Sequence, residues 1–404
     1  MTLIRARRRP PDLPFMRILL IGNFAPDRQE SMLRFAHLMS DGLRDAGHPV
    51  ETWSPEPALV RCLPRYRYGG AAKFFGYFDK FVLFPRRLRA RLQGGRRPDV
   101  VHILDHANAV YAPHLAGVPL LATCHDLLQV RAAQGEFPQH RVAPLGRRYQ
   151  RWILESIARI PQVVCSSQKT RADLERLARL PAARMAVIPN GLNYPYRPLA
   201  APEARLIVGR LLRERHLPPG GLEHGGRGFL LNIGGGQWYK NRRGLLEMYA
   251  ALRPLLPLPP RLVLVGKPLA PDLALHARQL GLGGDLIHVN RVSEVQLQAL
   301  YSLAAGLVFP SWEEGFGWPV AEAQACGCPV FTSCRAPMTE VGGDAAEYVD
   351  PGDPRGAAER IADAWPRRAG MAARGLARAV TWDPARMIAL YLEAYERGGA
   401  RRVA

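Results

Sequence analysis

Short apolar runs alternate with longer helix-period segments along nearly the whole chain. That alternation is the pattern of βαβ units, because parallel strands need a long, usually helical, crossover between them. Strands are expected at Arg17 to Ile21, Val50 to Trp53, Val100 to Leu104, Pro119 to Thr123, Gln162 to Cys165 and Met185 to Ile188. Helices are expected between them at Ser31 to Ala46, Leu145 to Arg159 and Thr170 to Leu180. In the second of these, Tyr149, Trp152 and Ile153 are spaced to share one face and cover the sheet. From Pro195 to Arg227 the pattern dissolves into Pro, Gly and Arg, as an inter-domain linker does. It restarts with strands at Phe229 to Ile233, Arg261 to Val265, Leu286 to Val289, Gly306 to Phe309, Pro329 to Thr332 and Glu347 to Val349.

The chain thus reads as an α/β protein with two doubly wound domains, at 16–198 and 228–380, joined by a linker at 199–227. Its 404 residues, 48% of them apolar, suit two cores of roughly 150 to 200 residues each. Residues 381–404 form a final helix whose Met387, Leu390, Tyr391, Ala394 and Tyr395 share a face suited to docking on the first domain. Residues 1–15 read as a basic tail: Arg5, Arg7, Arg8 and Arg9 lead into Pro10, Pro11 and Asp12, where a secretion signal would need an apolar stretch. No apolar run approaches the length of about 18 residues that a membrane span requires. The cysteines lack Cys-x-x-Cys or zinc spacing and read as small buried residues of a reducing, cytoplasmic compartment.

The net charge of +20 admits nucleic acid, an anionic membrane or a phosphate-rich ligand as partner. Arginine is spread through every segment, which argues against a groove built for nucleic acid. The segment from Arg65 to Leu92 interleaves eight aromatic residues, Phe74, Phe75, Tyr77 and Phe78 among them, with Arg and Lys. Two readings stand: peripheral contact with an anionic membrane bearing a lipid-linked acceptor, or a helix with Phe74, Phe78 and Phe81 turned into the core.

In open parallel sheets ligands bind at the carboxyl ends of strands, so the loops there carry the chemistry, and a cleft between two such domains is the natural site. After the strand ending at Phe309 comes Pro310-Ser-Trp-Glu-Glu-Gly-Phe-Gly-Trp-Pro-Val-Ala-Glu322, a loop opening into a helix. Gly315 and Gly317 let a ligand approach the backbone, whose N–H groups from Gly315 to Trp318 point out of the helix start. With the carboxylates of Glu314 and Glu322, these donors suit a polyhydroxylated ligand. Another loop, Gly234-Gly-Gly-Gln-Trp-Tyr-Lys240-Asn-Arg-Arg243, also follows a strand and opens a helix, and holds one of only five lysines.

Glu314-Gly-Phe-Gly-x-Pro-x-x-Glu322, followed by Ala-x-Ala-Cys-Gly-Cys-Pro-Val330, closely resembles the Glu-x7-Glu motif of retaining glycosyltransferases of family 4 with the GT-B fold. Val187-Ile-Pro-Asn-Gly191 and Thr339-Glu-Val-Gly-Gly-Asp-Ala-Ala346 are similar to further segments of that family. The resemblance implies two Rossmann-like domains facing a cleft, the first binding the acceptor and the second a UDP- or GDP-linked sugar donor. Glu322 would hold the donor's ribose and Glu314 the sugar near its reacting carbon, with the backbone of Phe316 and Gly317 on its hydroxyls. Lys240 stands in the position of the family's diphosphate-binding lysine, with Asn241 beside it. Where many relatives carry an earlier arginine this chain has Gly and Gln, so Arg242 or Arg243 is expected to substitute. Leu121-Ala-Thr-Cys-His-Asp126 is similar to the segment whose histidine reaches the sugar, so His125 would orient it and Asp126 would fix His125.

The chain has no Asp-x-Asp pair to hold Mg²⁺, so the departing diphosphate would be met by side-chain cations, without a metal or resident cofactor. The activity implied is transfer of a hexose to a glycan or lipid-linked acceptor. A sugar-nucleotide epimerase or phosphorylase on the same fold, and a non-catalytic glycan or nucleic-acid binding module, are the alternatives.

Overall fold

The computed structural model describes residues 15–62, 70, 72–94, 97–217, 222 and 226–401. The basic tail expected at 1–15, apart from Phe15, lies outside them, as do Tyr66, Tyr68 and most of the Pro/Gly run at 218–225. The chain divides into two compact units, one comprising 1–193 with 384–404 and the other 194–383.

The first unit holds β1 (Ile18–Ile21), β2 (Val50–Trp53), β3 (Val100–Ile103), β4 (Leu120–Cys124), β5 (Gln162–Cys165) and β6 (Met185–Val187). They form one parallel sheet in the order β2-β1-β3-β4-β5-β6. β1 and β3 are buried along their whole length, so neither alternates apolar with exposed polar residues, and the one polar residue, His102 in β3, is buried with the rest. The order reverses beside β1, so the crevice for a ligand opens between the carboxyl ends of β1 and β3.

The second unit repeats the plan with β7 (Phe229–Ile233), β8 (Arg261–Val265), β9 (Leu286–Val289), β10 (Gly306–Phe309), β11 (Val330–Ser333) and β12 (Ala346–Val349), in the order β12-β11-β10-β7-β8-β9. Every neighbouring pair is again parallel, and the switch point lies between β7 and β10.

Three expectations need correcting. The linker placed at 199–227 contains a helix, Ala201–Glu214, that buries Ala204, Val208, Leu211 and Leu212 and packs against the helix Glu294–Leu303. Pro202 sits in its first turn, where its missing N–H costs nothing. The second unit accordingly starts at Tyr194, not after a linker. In the helix Pro144–Ile157, Ile153 is buried but Trp152 is 42% exposed, so Trp152 does not cover the sheet. Phe74 (68% exposed), Phe75 and Phe78 also point to solvent, Tyr77 lies against Phe81 and Tyr149, and Phe81 and Phe84 pack on the core. A core-covering role for Phe74 and Phe78 is thereby excluded.

The last helix, Pro384–Arg397, belongs to the first unit and packs on the helix Glu30–Asp45. Its buried face is Met387, Ile388, Tyr391, Ala394 and Tyr395. The hydroxyls of Tyr391 and Tyr395 close a buried polar chain beneath the sheet. Tyr395 meets His102 Nδ1 at 2.8 Å, His102 Nε2 meets Thr123 Oγ1 at 2.7 Å, and Thr123 meets Tyr391 at 2.9 Å.

Burial, with the nearby His125, pushes the His102 pKa down to about 3, so the ring is neutral in the folded protein. The unfolded chain therefore binds the extra proton. Stability contributed by this group is complete above about pH 6.5 and is lost as pH falls from there towards 3, by about 1.4 kcal/mol per pH unit. Urea denaturation followed between pH 7 and pH 4.5 should show that decline, and a His102→Gln chain should show a shallower one.

Candidate functional site

In the second unit, the two loops flanking the switch point are stitched together. Trp312 N–H donates to Tyr239 C=O at 2.7 Å, and Lys240 Nζ donates to Glu314 Oε1 at 2.7 Å. Lys240 comes from the loop after β7 and Glu314 from the loop after β10, so this ion pair spans the place where the strand order reverses. The ammonium also lies 5.0 Å from the Phe309 ring centre, against the electron-rich face. A cation so held is fixed beforehand, which is what a group meeting developing negative charge requires.

Glu322 lies one turn inside the helix Trp318–Ala325 and is 2% exposed. Tyr301, fully buried on the helix Glu294–Leu303, donates its hydroxyl to Glu322 Oε2 at 2.8 Å. Burial raises the Tyr301 pKa well above its usual value, and the neighbouring carboxylate adds to this, so Tyr301 remains a donor at any physiological pH. Gly317 begins the Glu322 helix with φ 94°, a left-handed conformation that a side chain would strain. The Phe316 ring packs edge-on against Trp382 at 5.5 Å, anchoring the loop between the two glutamates.

The residues after Lys240 serve the loop itself. Asn241, with φ 51°, caps the helix Arg242–Leu252 by accepting from Gly244 N–H at 3.3 Å, and it donates to Pro351 C=O at 2.9 Å. Arg242 is 4% exposed, and its guanidinium donates to Gly234 C=O and Lys267 C=O, both at 2.7 Å. It ties the loop after β7 to the loop after β8, where Gly266 leaves no room for a side chain: a Cβ there would lie 2.2 Å from Gly234 O. Arg243 is exposed and lies 4.0 Å from Glu247, one turn along its own helix. The expectation that Arg242 stands beside Lys240 as a second diphosphate cation is corrected accordingly, since Arg242 is spent on backbone carbonyls.

In the first unit, His125 follows β4 and is buried. Its Nε2–H donates to Leu104 C=O at 2.9 Å, and burial lowers its pKa against the opposing pull of Asp105. A neutral ring with Nε2–H so engaged presents Nδ1 as an acceptor, a match for a hydroxyl donor. Two hydroxyls, Ser166 at 2.8 Å and Thr170 at 3.1 Å, hold the His125 carbonyl. Asp126 does not fix the imidazole as expected. Its carboxylate accepts from Leu128 N–H at 3.0 Å, at the first residue of the helix Leu128–Ala133.

Sequence reading missed a further group at this sheet end. Asp105 accepts from Asn23 Nδ2 at 2.5 Å, and Asn108 Nδ2 donates to Asn23 Oδ1 at 2.9 Å. Burial opposes ionisation of Asp105, but His106, 3.0 Å away, and Ala107 N–H hold its pKa below the usual carboxylate range. Its place directly after β3, at the switch point, was the available signal. Tyr301 carried no such signal. Among the described residues, no three His, Cys, Asp or Glu side chains are grouped to hold a metal ion.

Two family models match the chain. Residues 32–194 match "Glycosyltransferase Family 4" and residues 217–368 match "Glycosyl transferases group 1". The chain belongs to the family 4 glycosyltransferases. This glycosyltransferase is 28% identical over 311 residues to an O-antigen chain mannosyltransferase B of Escherichia coli, covering 74% of its own length and 76% of the relative's. It is 28% identical over 333 residues to a D-inositol 3-phosphate glycosyltransferase of Salinispora tropica, covering 74% of its own length and 66% of that enzyme's. Solved structures share its fold. Sucrose-phosphate synthase from Thermosynechococcus elongatus matches with a TM-score of 0.69 at 20% identity, over 95% of this chain and 98% of that one. Anabaena HepE, solved in complex with UDP and glucose, matches with a TM-score of 0.65 at 17% identity, over 94% and 99%. The glycosyltransferase thus has the GT-B architecture of two Rossmann-like domains, and it is an enzyme of that class.

Proposed function

We propose that this glycosyltransferase moves a hexose, with retention of configuration, from a UDP- or GDP-linked donor to a glycan or lipid-linked acceptor, with no divalent ion required. The observation that carries the reading is the Lys240–Glu314 pair at 2.7 Å, across the switch point of the second sheet. It sets a cation for the diphosphate next to a carboxylate for the sugar, with Glu322, braced by Tyr301, for the ribose. UDP and glucose in the HepE structure support a nucleotide-sugar donor here. His125 is assigned to orient the sugar, its Nδ1 accepting from a hydroxyl. A thermal-shift panel of UDP, GDP and ADP with their sugars tests the donor. A true donor at 100 times its dissociation constant adds about 2.7 kcal/mol of stability, in the presence or absence of EDTA. A response that EDTA abolishes would count against the metal-free part, and no response to any nucleotide against the whole.

Glu322→Ala should weaken the donor's kcat/KM by roughly 10- to 150-fold, the worth of about 1.5 to 3 kcal/mol for hydrogen bonds to a charged group. Tyr301→Phe should act in the same direction but more weakly, because the carboxylate stays while its brace is lost. Initial rates against donor concentration decide both, and unchanged kinetics in Glu322→Ala would remove the ribose assignment.

No helix among the described residues is long and apolar enough to cross a membrane. Peripheral attachment is supported by exposed Phe74, Phe75 and Phe78, with exposed Lys73, Arg86 and Arg89 on the same helical stretch. Cosedimentation with phosphatidylglycerol vesicles should be lost in a Phe74→Ser/Phe78→Ser chain, and equal sedimentation of that chain would exclude this attachment.

A further inference from the structure

At the carboxyl end of β3 one imidazole is left half used. His106 begins the short helix His106–His114, directly after Asp105, and its side chain is 12% exposed. Nδ1 is enclosed and lies 3.0 Å from Asp105 Oδ1. Nε2 is not enclosed, and among the described residues it has no hydrogen-bond partner. By contrast, His102 bonds through both nitrogens, to Tyr395 and Thr123. Asp105 is itself 3% exposed and is held by Asn23 Nδ2 at 2.5 Å and by Ala107 N–H at 3.0 Å. A carboxylate fixed in this way keeps the proton of a neutral His106 on Nδ1, which leaves the Nε2 lone pair open. An imidazole oriented by a buried carboxylate, with its far nitrogen open, is the arrangement of a proton acceptor. Its place agrees with that chemistry, because the strand order reverses beside β1 and the crevice opens between the carboxyl ends of β1 and β3.

We propose that His106 is the base that takes the proton from the acceptor's hydroxyl, with Asp105 as the positioning residue behind it. This role rests on the transferase reading above. As the hydroxyl oxygen bonds to the anomeric carbon of the donor, the bond from that carbon to the diphosphate breaks with its electron pair, and the hydroxyl proton passes to His106 Nε2. The imidazolium then returns the proton to solvent. The charges around His106 suit it to the task. Burial opposes protonation of the ring, but Asp105 and, from the loop after β4, Asp126 outweigh it and raise the pKa above 6.5. His125, in the same loop as Asp126, has its pKa lowered by burial and adds no charge in that range. As pH falls through the raised value Nε2 is already protonated, so the rate should fall about tenfold per pH unit.

The test follows transfer from UDP-glucose and GDP-mannose to octyl α-mannoside and octyl β-glucoside by the full chain, between pH 5.5 and pH 8.5. The parent should lose activity along an acid limb. His106→Ala should lower kcat by roughly 10²-fold or more. His106→Gln keeps a hydrogen-bond acceptor but no site for the proton, so its KM for the acceptor should stay near the parent's while kcat is lowered and the acid limb is gone. Whichever of UDP and GDP raises the parent's melting temperature should raise that of both variants equally. Loss of that stabilisation in both variants would mark His106 as structural and overturn the assignment. An acid limb that persists in His106→Gln, or transfer to neither glycoside by a parent that a nucleotide stabilises, overturns the assignment and leaves the transferase reading standing. If no nucleotide stabilises the parent, the transferase reading fails and the assignment fails with it.

Discussion

Lys240→Ala is expected to lower kcat by roughly 10²- to 10³-fold, the cost of removing one pre-positioned donor from a developing anion. The substitution takes away the ammonium that the loop after β7 holds 2.7 Å from Glu314, and leaves that mostly buried carboxylate without this partner. Loss of one member of a buried pair is costly in itself, because the remaining charge keeps its desolvation penalty. Stability should therefore fall alongside activity. Lys240→Arg, which keeps the charge but changes its shape and reach, should recover the stability better than the rate. Steady-state kinetics with a saturating donor, read next to urea denaturation, separate the two effects. A Lys240→Ala chain with parental kcat would remove the cation from the chemistry.

Tyr391→Ala should destabilise the first unit by about 3 to 5 kcal/mol, as for other large aromatic truncations in a core. Tyr391 is fully buried, stacks on His102 with ring centres 5.2 Å apart, and shares a hydrogen bond with Thr123, the residue two before His125. The closing helix is thus part of the wall behind the β4 carboxyl end, not an appendage. Tyr391→Phe keeps the ring and gives up only the hydroxyl, so it should lose about 1 kcal/mol. Urea denaturation distinguishes them, and a loss below about 1 kcal/mol in Tyr391→Ala would show that the helix is dispensable to that unit.

Much of the fold was legible because strands buried on both faces have little choice of residue. β1, β3, β10 and β11 are buried throughout; β1 and β10 are uninterrupted apolar runs, and β3 and β11 are broken only by His102 and by Thr332 and Ser333. The helix Ala201–Glu214 was missed although Ala204, Val208, Leu211 and Leu212 form a helical stripe. Pro202, Gly209 and three arginines gave it a loop's composition, and burial against a neighbouring helix outweighs composition. Phe74, Phe78 and Phe81 carried a helical period too, but period says which residues share a face and not whether anything covers it.

The site divides in the same manner. Glu314, Glu322 and Lys240 were readable because each is fixed by local spacing within a strand-loop-helix turn. The Tyr301 contact to Glu322 joins residues 21 positions apart, and the Arg242 contact to Lys267 joins residues 25 apart. Neither leaves a trace in local pattern. An arginine next to a phosphate-loop lysine looks the same in sequence whether it faces a ligand or, as here, two carbonyls.

Release of nucleoside diphosphate from UDP- and GDP-sugars, measured with EDTA present, tests the central claim most directly. One donor should be turned over by the wild-type chain in EDTA, and that turnover should fall at least 100-fold in Lys240→Ala, in keeping with the loss of one pre-positioned donor, about 10²-fold or more. Turnover that requires added Mg²⁺, or that proceeds equally in the Lys240→Ala chain, would contradict the account.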